Sequence, residues 1–371
     1  MKDIGIVTWH YYPNFGSALQ AYAMQEVLQQ LGYTCEFINY RKRQFRNSYV
    51  KTFIKYIISN LSFMLSKNKR EKFSFKFSRF EYEYLRQRRI PYTTKNIIRC
   101  NSKYRIFLCG SDQIWSPNVF DPIYFLSFVD SNKAKVAYAA SIGLNQIPKE
   151  LERAYIELLR RFDCLSTREE NGAQILRDLL GYDIEVVLDP TMLLSGADWQ
   201  KLVINPPFND DYIFVYFLGD NPLHRETVKN MARTMNYKIV TVSKFPADQE
   251  LADFVDAYAG PKEFLGYVKN AKFVITDSFH GVCFSIIYRK DFYAYERFSN
   301  DDPICQNSRI HNLLKRLKLE ERIIKFSTVK AFYTSINYAE VEDLLHAERS
   351  KSMNFLRNAL QSRPRTCVSS N

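Results

Sequence analysis

The stretch "FVITDSFHGVCFSIIYRK" (residues 273–290) sets an apolar run against a short polar turn and then becomes apolar again. With Lys272, "KFVIT" has the length and β-branched content of a buried strand, and "GVCFSIIY" reads as the body of a buried helix. "DSFHG" (277–281) is then a strand-to-helix turn. Ser278 has the residue type of a helix N-cap, and Gly281 lets another group approach the backbone closely. A helix N-terminus offers unpaired N–H groups and the positive end of the helix dipole, so the turn suits a phosphate or a carboxylate. His280 offers either a proton-transfer group near neutral pH or a structural hydrogen bond across the turn, and both readings stand.

Working outward, the same alternation recurs on both sides. "YIFVYFLG" (212–219) predicts a strand, 222–235 a helix, "YKIVTVS" a strand and "GPKEFLGYVKNA" a helix leading into 273–276. Upstream, "IGIVTW" (4–9) reads as a strand and "SALQAYAMQEVLQQL" (17–31) as a helix with Leu19, Tyr22, Ala23, Val27 and Leu31 on one face. Gly32 closes that helix before the strand "TCEFINY". The pattern resumes with "YRIFLC" (104–109) into "GSDQIW", "KVAYAA" (135–140) into Ser141, "CLSTREE" with Arg168 before a helix that Gly181 stops, and "IEVVL" (184–188) into Asp189-Pro190. Strand–helix alternation of this kind predicts an α/β protein built on parallel sheets, with each polar cluster after a strand's carboxyl end, where ligands of open α/β sheets bind. No GxGxxG follows the first strand, so a dinucleotide site is not supported. Residues 190–210, with Pro190, Gly196, Pro206 and Pro207, read as a linker between two domains, and 337–360 as a long amphipathic helix.

The chain has 371 residues, 46% of them hydrophobic, enough for about two domains with cores of their own. The N-terminal region lacks the pattern of a signal peptide, and the apolar runs are far short of a spanning helix, so the expected location is the cytoplasm. Seven cysteines without CxxC spacing read as reduced core thiols, and five histidines without HxH or HxxxH pairing supply no metal site. The net charge of +12 is uneven: residues 41–90 hold 15 Lys and Arg against 3 Glu, an excess equal to that of the whole chain. Within this segment basic residues alternate with aromatics. It reads either as a solvated helical insertion with a buried stripe or as a surface for anionic lipid headgroups or a lipid-linked, phosphorylated acceptor. No nucleic-acid module accompanies the charge, so nucleic acid is not an expected partner.

Seven blocks, in order, carry a resemblance: "GIVTWHYYPNFGSALQAYAMQEVLQQLGY", "FLCGSDQIW", "VAYAASIG", "STREENGAQIL", "VVLDPTMLL", "GPKEFLGYVKNAKFVITDSFHGVCFSII" and "SRIHNLLKRLKL". Together they resemble the polysaccharide pyruvyl transferase family, from residue 4 to about 360 apart from the basic segment. The resemblance implies two Rossmann-like doubly wound domains, similar to the GT-B glycosyltransferases, with the active site in the cleft between them. The expected division is 1–195 with an insertion at about 45–95, 205–336, and a helix 337–362 packing back toward the first domain.

The implied reaction takes the enolpyruvyl group of phosphoenolpyruvate, the donor substrate, and attaches it as a pyruvate ketal across two hydroxyls of a glycan acceptor. No further cofactor is implied. Such a protein is expected to be cytoplasmic, peripheral at the inner face of the plasma membrane through residues 45–90. By position in the matching motifs, His280 looks like the family's acid/base histidine and Arg168 like the arginine that grips the phosphoenolpyruvate anion. Asp112, in "CGSDQIW", is a candidate base for the acceptor hydroxyl or an N-cap for the segment after it. Ser278, Gly281, Ser111, Asn14 and Gly16 are candidate contacts to phosphate or sugar, and Arg297 and Arg309 could complete an anion pocket. One position departs from the pattern. Better characterised members carry an arginine two residues before the histidine, where this chain has Ser278, so another arginine supplies the cation or the donor differs. The alternative is a GT-B glycosyltransferase using a nucleotide sugar, and a third reading is a non-catalytic scaffold of polysaccharide assembly.

Overall fold

The computed structural model describes residues 2–42, 69–87, 90–299, 301–302, 304–329 and 334–362. The chain divides into two units. One holds the chain up to Glu71, Ser78–Leu193 and the chain from Arg349; the other holds Lys72–Phe77 and Leu194–Glu348.

The first unit contains β1 (Lys2–Val7), α1 (Phe15–Gln30), β2 (Cys35–Phe37), α2 (Lys69–Tyr84, shared between the units), β3 (Tyr104–Cys109), β4 (Ala134–Ala140), α3 (Lys149–Leu159), β5 (Cys164–Thr167), α4 (Glu170–Leu180), β6 (Glu185–Val186) and α5 (Pro190–Leu193). Its six strands form a parallel sheet in the order β2-β1-β3-β4-β5-β6, with Ile4 opposite both Cys35 and Ile106. β4 is buried at every residue, as expected of a strand covered on both faces. Trp115 stacks on Phe125 at 5.4 Å and 11° in the core beside it.

The second unit contains α6 (Gly196–Trp199), β7 (Tyr212–Tyr216), α7 (Pro222–Met235), β8 (Lys238–Thr241), α8 (Pro246–Leu251), β9 (Phe254–Val255), α9 (Pro261–Asn270), β10 (Phe273–Thr276), α10 (Phe279–Ile287), β11 (Asp291–Tyr295), α11 (Ser308–Arg316), β12 (Ile323–Ile324) and the start of α12 (Tyr338–Gln361). Its parallel sheet runs β12-β11-β10-β7-β8-β9. Counted within the unit and read from the other edge, this is the order 3-2-1-4-5-6 of a Rossmann domain, and the first sheet follows the related 2-1-3 pattern. The two sheets are thus doubly wound and Rossmann-like. Strand order reverses at β1/β3 in the first and at β7/β10 in the second.

Several elements differ from the sequence reading. α1 does not bury one face: Ser17, Gln20 and Gln25 are buried along with the apolar residues. Gln25 can sit inside because its Nε2 donates to Tyr84 O at 3.0 Å and its Oε1 accepts from Arg86 N at 2.7 Å. The linker expected at 190–210 carries α5 and α6, the latter closed by a Ser195/Asp198 capping box.

In α2, Phe73, Phe77 and Phe80 are buried at a helical spacing, while Lys76 pairs with Glu263 at 2.5 Å and Arg79 with Glu83 at 2.7 Å. The expected buried stripe is therefore present in this part. Residues 45–68 of the basic segment lie outside the described residues. Cys35, Cys100, Cys109, Cys164, Cys283 and Cys305 are free thiols, and burial pushes Cys35 up to about 11.

Candidate functional site

In the second unit, the turn after β10 is built on Thr276. Its hydroxyl donates to Tyr216 O at 2.6 Å, tying β10 to β7, and accepts from Ser278 N at 3.0 Å. Ser278 then caps α10, its Oγ accepting from Gly281 N at 3.3 Å. A Cβ on Gly281 would lie 2.5 Å from Thr276 Oγ1, so the close neighbour that needs glycine here is the strand's own threonine. His280 lies in the first turn of α10, 8% exposed, with its ring edge-on to Phe279 at 5.2 Å.

Asp277 is the anchor of this turn. It is buried, and its two carboxylate oxygens accept from Leu218 N and Gly219 N, each at 2.7 Å, which fastens the loop after β7 to the turn after β10 across the switch point. Arg297, just past β11, donates from Nη2 to Asp277 O at 3.0 Å. Burial holds the Asp277 carboxyl above its usual range, against the pull of Arg297 and the two N–H donors. Of the two arginines expected to complete an anion pocket, Arg297 therefore lies at the turn. Arg309 points back to the start of α11, where its Nη2 donates to Gln306 Oε1 at 2.8 Å.

In the first unit the chain leaves β3 through Gly110, at φ +105°, where a Cβ would collide with Tyr138 O. Asp112 follows, with Ser17 Oγ donating to its Oδ2 at 2.5 Å and Gln113 N to its Oδ1 at 2.9 Å. No helix starts at Asp112, so its N-cap reading is set aside; the next helical turn is Pro117–Val119. Asn14 is the residue that caps α1, its Oδ1 accepting from Ser17 N at 3.1 Å, with Gly16 buried in that first turn. Ser111 is fully buried, its Oγ 2.9 Å from Asp189 Oδ2 and 3.0 Å from Ala139 O.

Arg168 occupies a different setting from the one expected of an anion grip. Its side chain is 0% exposed and faces three carboxylates: Asp189 at 2.9 Å, Asp112 at 3.6 Å and Glu169 at 3.6 Å. Burial alone would lower its pKa, but these three acids hold it above its usual value. A guanidinium surrounded in this way orients carboxylates, and Asp112 is one of them.

The two clusters thus fall at the switch points of their own sheets. A family model of polysaccharide pyruvyl transferase matches residues 14–299, which includes both. The chain belongs to this family. No curated protein matches the chain significantly. Among solved structures it is similar to a UDP-GlcNAc 2-epimerase from Neisseria meningitidis bound to UDP-GlcNAc (10% identity, 98% of this chain and 95% of that one, TM-score 0.46). It is also similar to Acinetobacter baumannii MurG (12%, 98% and 96%, 0.41) and to the E. coli heptosyltransferase WaaC with ADP-2-deoxy-2-fluoro heptose (11%, 94% and 99%, 0.39). These are distant likenesses, and the family's fold is read from the two sheets themselves.

Sequence reading missed Asp277, Ser17 and Gln20 as members of these clusters. For Asp277 a signal was available, since an acid directly after a fully buried strand must find donors. It also passed over Glu296 and His311, whose Oε1 and Nε2 lie 2.9 Å apart beyond β11. Among the described residues no group of three or more His, Cys, Asp or Glu is arranged to hold a metal, and no helix is long and apolar enough to cross a membrane.

Proposed function

We propose that the protein transfers the pyruvyl group of phosphoenolpyruvate onto two hydroxyls of a sugar in a surface-polysaccharide precursor and closes a pyruvate ketal. The observation that carries this reading is the turn at the β7/β10 switch point, where a capped helix N-terminus bearing His280 in its first turn adjoins Asp277, which is held by the Leu218 and Gly219 N–H groups and by the Arg297 guanidinium. Its N–H groups suit a phosphate and the guanidinium fork suits a carboxylate, the two anionic groups of the donor.

In this reading His280 delivers a proton to the C3 methylene, which leaves C2 electron-poor. One sugar hydroxyl adds to C2 and gives up its proton. The second hydroxyl then displaces the phosphate, whose departure takes the remaining proton, so the products are the ketal and inorganic phosphate. Ser278, as the cap, and Gly281, packed on Thr276, shape the helix N-terminus that meets the phosphate, and Asp112 is the base for an acceptor hydroxyl. Arg168 and Ser111 position Asp112, and Asn14 and Gly16 border it. The reaction needs no cofactor beyond the donor. We place it at the cytoplasmic face of a membrane carrying a lipid-linked precursor of capsule or exopolysaccharide, with residues 45–90 as the basic docking segment.

One feature supports a second reading: Ser278 stands where better characterised family members have arginine, which would fit a nucleotide-sugar donor. Thermal stabilisation separates the two. Phosphoenolpyruvate should raise the melting temperature of the wild type, and the shift should be lost in His280→Ala and Arg297→Ala. Stabilisation by a nucleotide sugar, with none by phosphoenolpyruvate, would make the protein a glycosyltransferase.

A further inference from the structure

The loop from β1 to α1 holds an aromatic group that the donor chemistry does not use. Trp9 packs edge-on against Tyr12 at 6.2 Å and against buried Tyr124 at 6.2 Å. Tyr11 lies beside Tyr12 at 4.4 Å, and their hydroxyls are 3.2 Å apart. The Arg41 guanidinium lies over Tyr11, 3.7 Å from its ring centroid. Trp9 and Tyr11 are half-buried and Tyr12 is 49% exposed, so the group reaches the surface with Tyr12 as its most open ring.

The loop is held in place. His10 is buried beneath it, with Nδ1 3.0 Å from Thr8 O and Nε2 3.2 Å from Gln87 Oε1. The loop is also tied to the candidate base: the side-chain amide of Gln20 donates to Trp9 O at 3.1 Å and accepts from Ser111 N at 3.2 Å, one residue before Asp112. Rings on this loop therefore keep a fixed relation to the Asp112 carboxylate.

A pyranose ring combines an apolar C–H face with a rim of hydroxyls. A site for it needs an open aromatic face bordered by a few polar groups on a rigid support. We infer that Trp9, Tyr11 and Tyr12 form a stacking subsite for a pyranose ring of the acceptor, with Arg41 and the two phenols at its rim. The inference rests on the reading of the protein as a transferase acting on a sugar.

The test uses the three tryptophans. Trp115 and Trp199 are fully buried, so collisional quenching by acrylamide reports on Trp9. Methyl glycosides of glucose, galactose and mannose, and free N-acetylglucosamine and N-acetylmannosamine, serve as probes. At least one should protect wild-type fluorescence from quenching. Tyr12→Ala, at an exposed position that leaves the fold intact, should weaken that protection about tenfold, and Trp9→Phe should abolish the signal. Protection by none of the probes, or equal protection in wild type and Tyr12→Ala, overturns the inference. The phosphoenolpyruvate thermal shift, measured on the same samples, keeps the outcomes apart. A lost shift with retained sugar protection defeats the donor reading alone, and a retained shift without protection defeats the subsite alone.

Discussion

Arg297 donates from Nη2 to the main-chain oxygen of Asp277 at 3.0 Å, while its Nε lies 3.4 Å from the Asp277 carboxylate. The same carboxylate accepts the N–H groups of Leu218 and Gly219. One buried acid therefore joins three segments at the switch point of the second sheet: the loop after β7, the turn after β10 and the segment that follows β11.

Asp277→Asn should reveal how much depends on that acid. An amide has one oxygen where the loop brings two N–H donors, and it carries no charge to meet Arg297. A loss of about 2–3 kcal/mol is expected from urea unfolding, since hydrogen bonds to charged groups contribute ~1.5–3 kcal/mol each. Hydrogen exchange should quicken at Leu218 and Gly219. Unchanged stability and exchange would show that the carboxylate does not hold the loop.

Arg297→Ala should act on binding more than on folding, because Asp277 keeps its two backbone donors. Removing one charge-assisted contact to an anion costs about 1.5–3 kcal/mol, so phosphoenolpyruvate affinity should fall about 10- to 100-fold in calorimetric titration. Arg297→Lys should recover only part of this, because an ammonium cannot present the fork.

Arg168→Ala should behave in the opposite way. It leaves Asp189, Asp112 and Glu169 without their shared cation inside the protein, and breaking a buried pair in this manner costs about 3–5 kcal/mol. The variant should lose stability in denaturant before any ligand is added. Full stability combined with lost anion binding would return Arg168 to the role of an anion grip.

These residues also show what the sequence could and could not reveal. The strand, turn and helix at 273–287 were legible because two long apolar runs bracket the turn, and a cap residue stands at its start. Arg168 stood out from its motif, but its partners Asp112 and Asp189 come from other strands, and local spacing carries no trace of them. α1 misled for a related reason: Gln20 and Gln25 look like solvent-facing positions until their distant backbone partners are known. The two-residue strands β9 and β12 are too short for any periodicity to mark, whereas β6 falls within the strand read at 184–188, and the charged sequence of α3 hides its two buried residues, Tyr155 and Leu159.

Gly281→Ala tests the packing of the turn. The added methyl would meet Thr276 Oγ1 at 2.5 Å and Thr276 Cγ2 at 3.0 Å, and Thr276 is itself held by Tyr216 O and Ser278 N. Neither side can give way without losing a hydrogen bond, so a destabilisation of about 1–3 kcal/mol is expected, read as a lower melting temperature. A variant as stable as the wild type would mean that β10 and α10 can separate, and that the glycine is not required by this contact.

His224 supplies a pH dependence that is independent of any ligand. Its ring is buried against Tyr295 at 3.9 Å and Phe217 at 5.5 Å, and burial pushes its imidazole down to about 4, with Arg225 adding to the effect. The unfolded chain, with a histidine near its ordinary value of about 6.5, binds more protons than the folded one between those two values. Stability contributed by neutral His224 is therefore complete above about pH 6.5 and is lost as the pH falls toward 4, by roughly 3 kcal/mol at pH 4. His10, also buried and lowered, acts in the same direction, so the wild-type slope contains both groups. His224→Phe places a neutral ring among the same aromatic neighbours and should remove its share. Unfolding free energies of wild type and variant, measured in urea from pH 7 to pH 4, should differ at neutral pH by a constant and then converge or cross as acid titrates His224. Parallel curves across that range would show that His224 is protonated in the folded state at little cost, and that its aromatic cage is open to water.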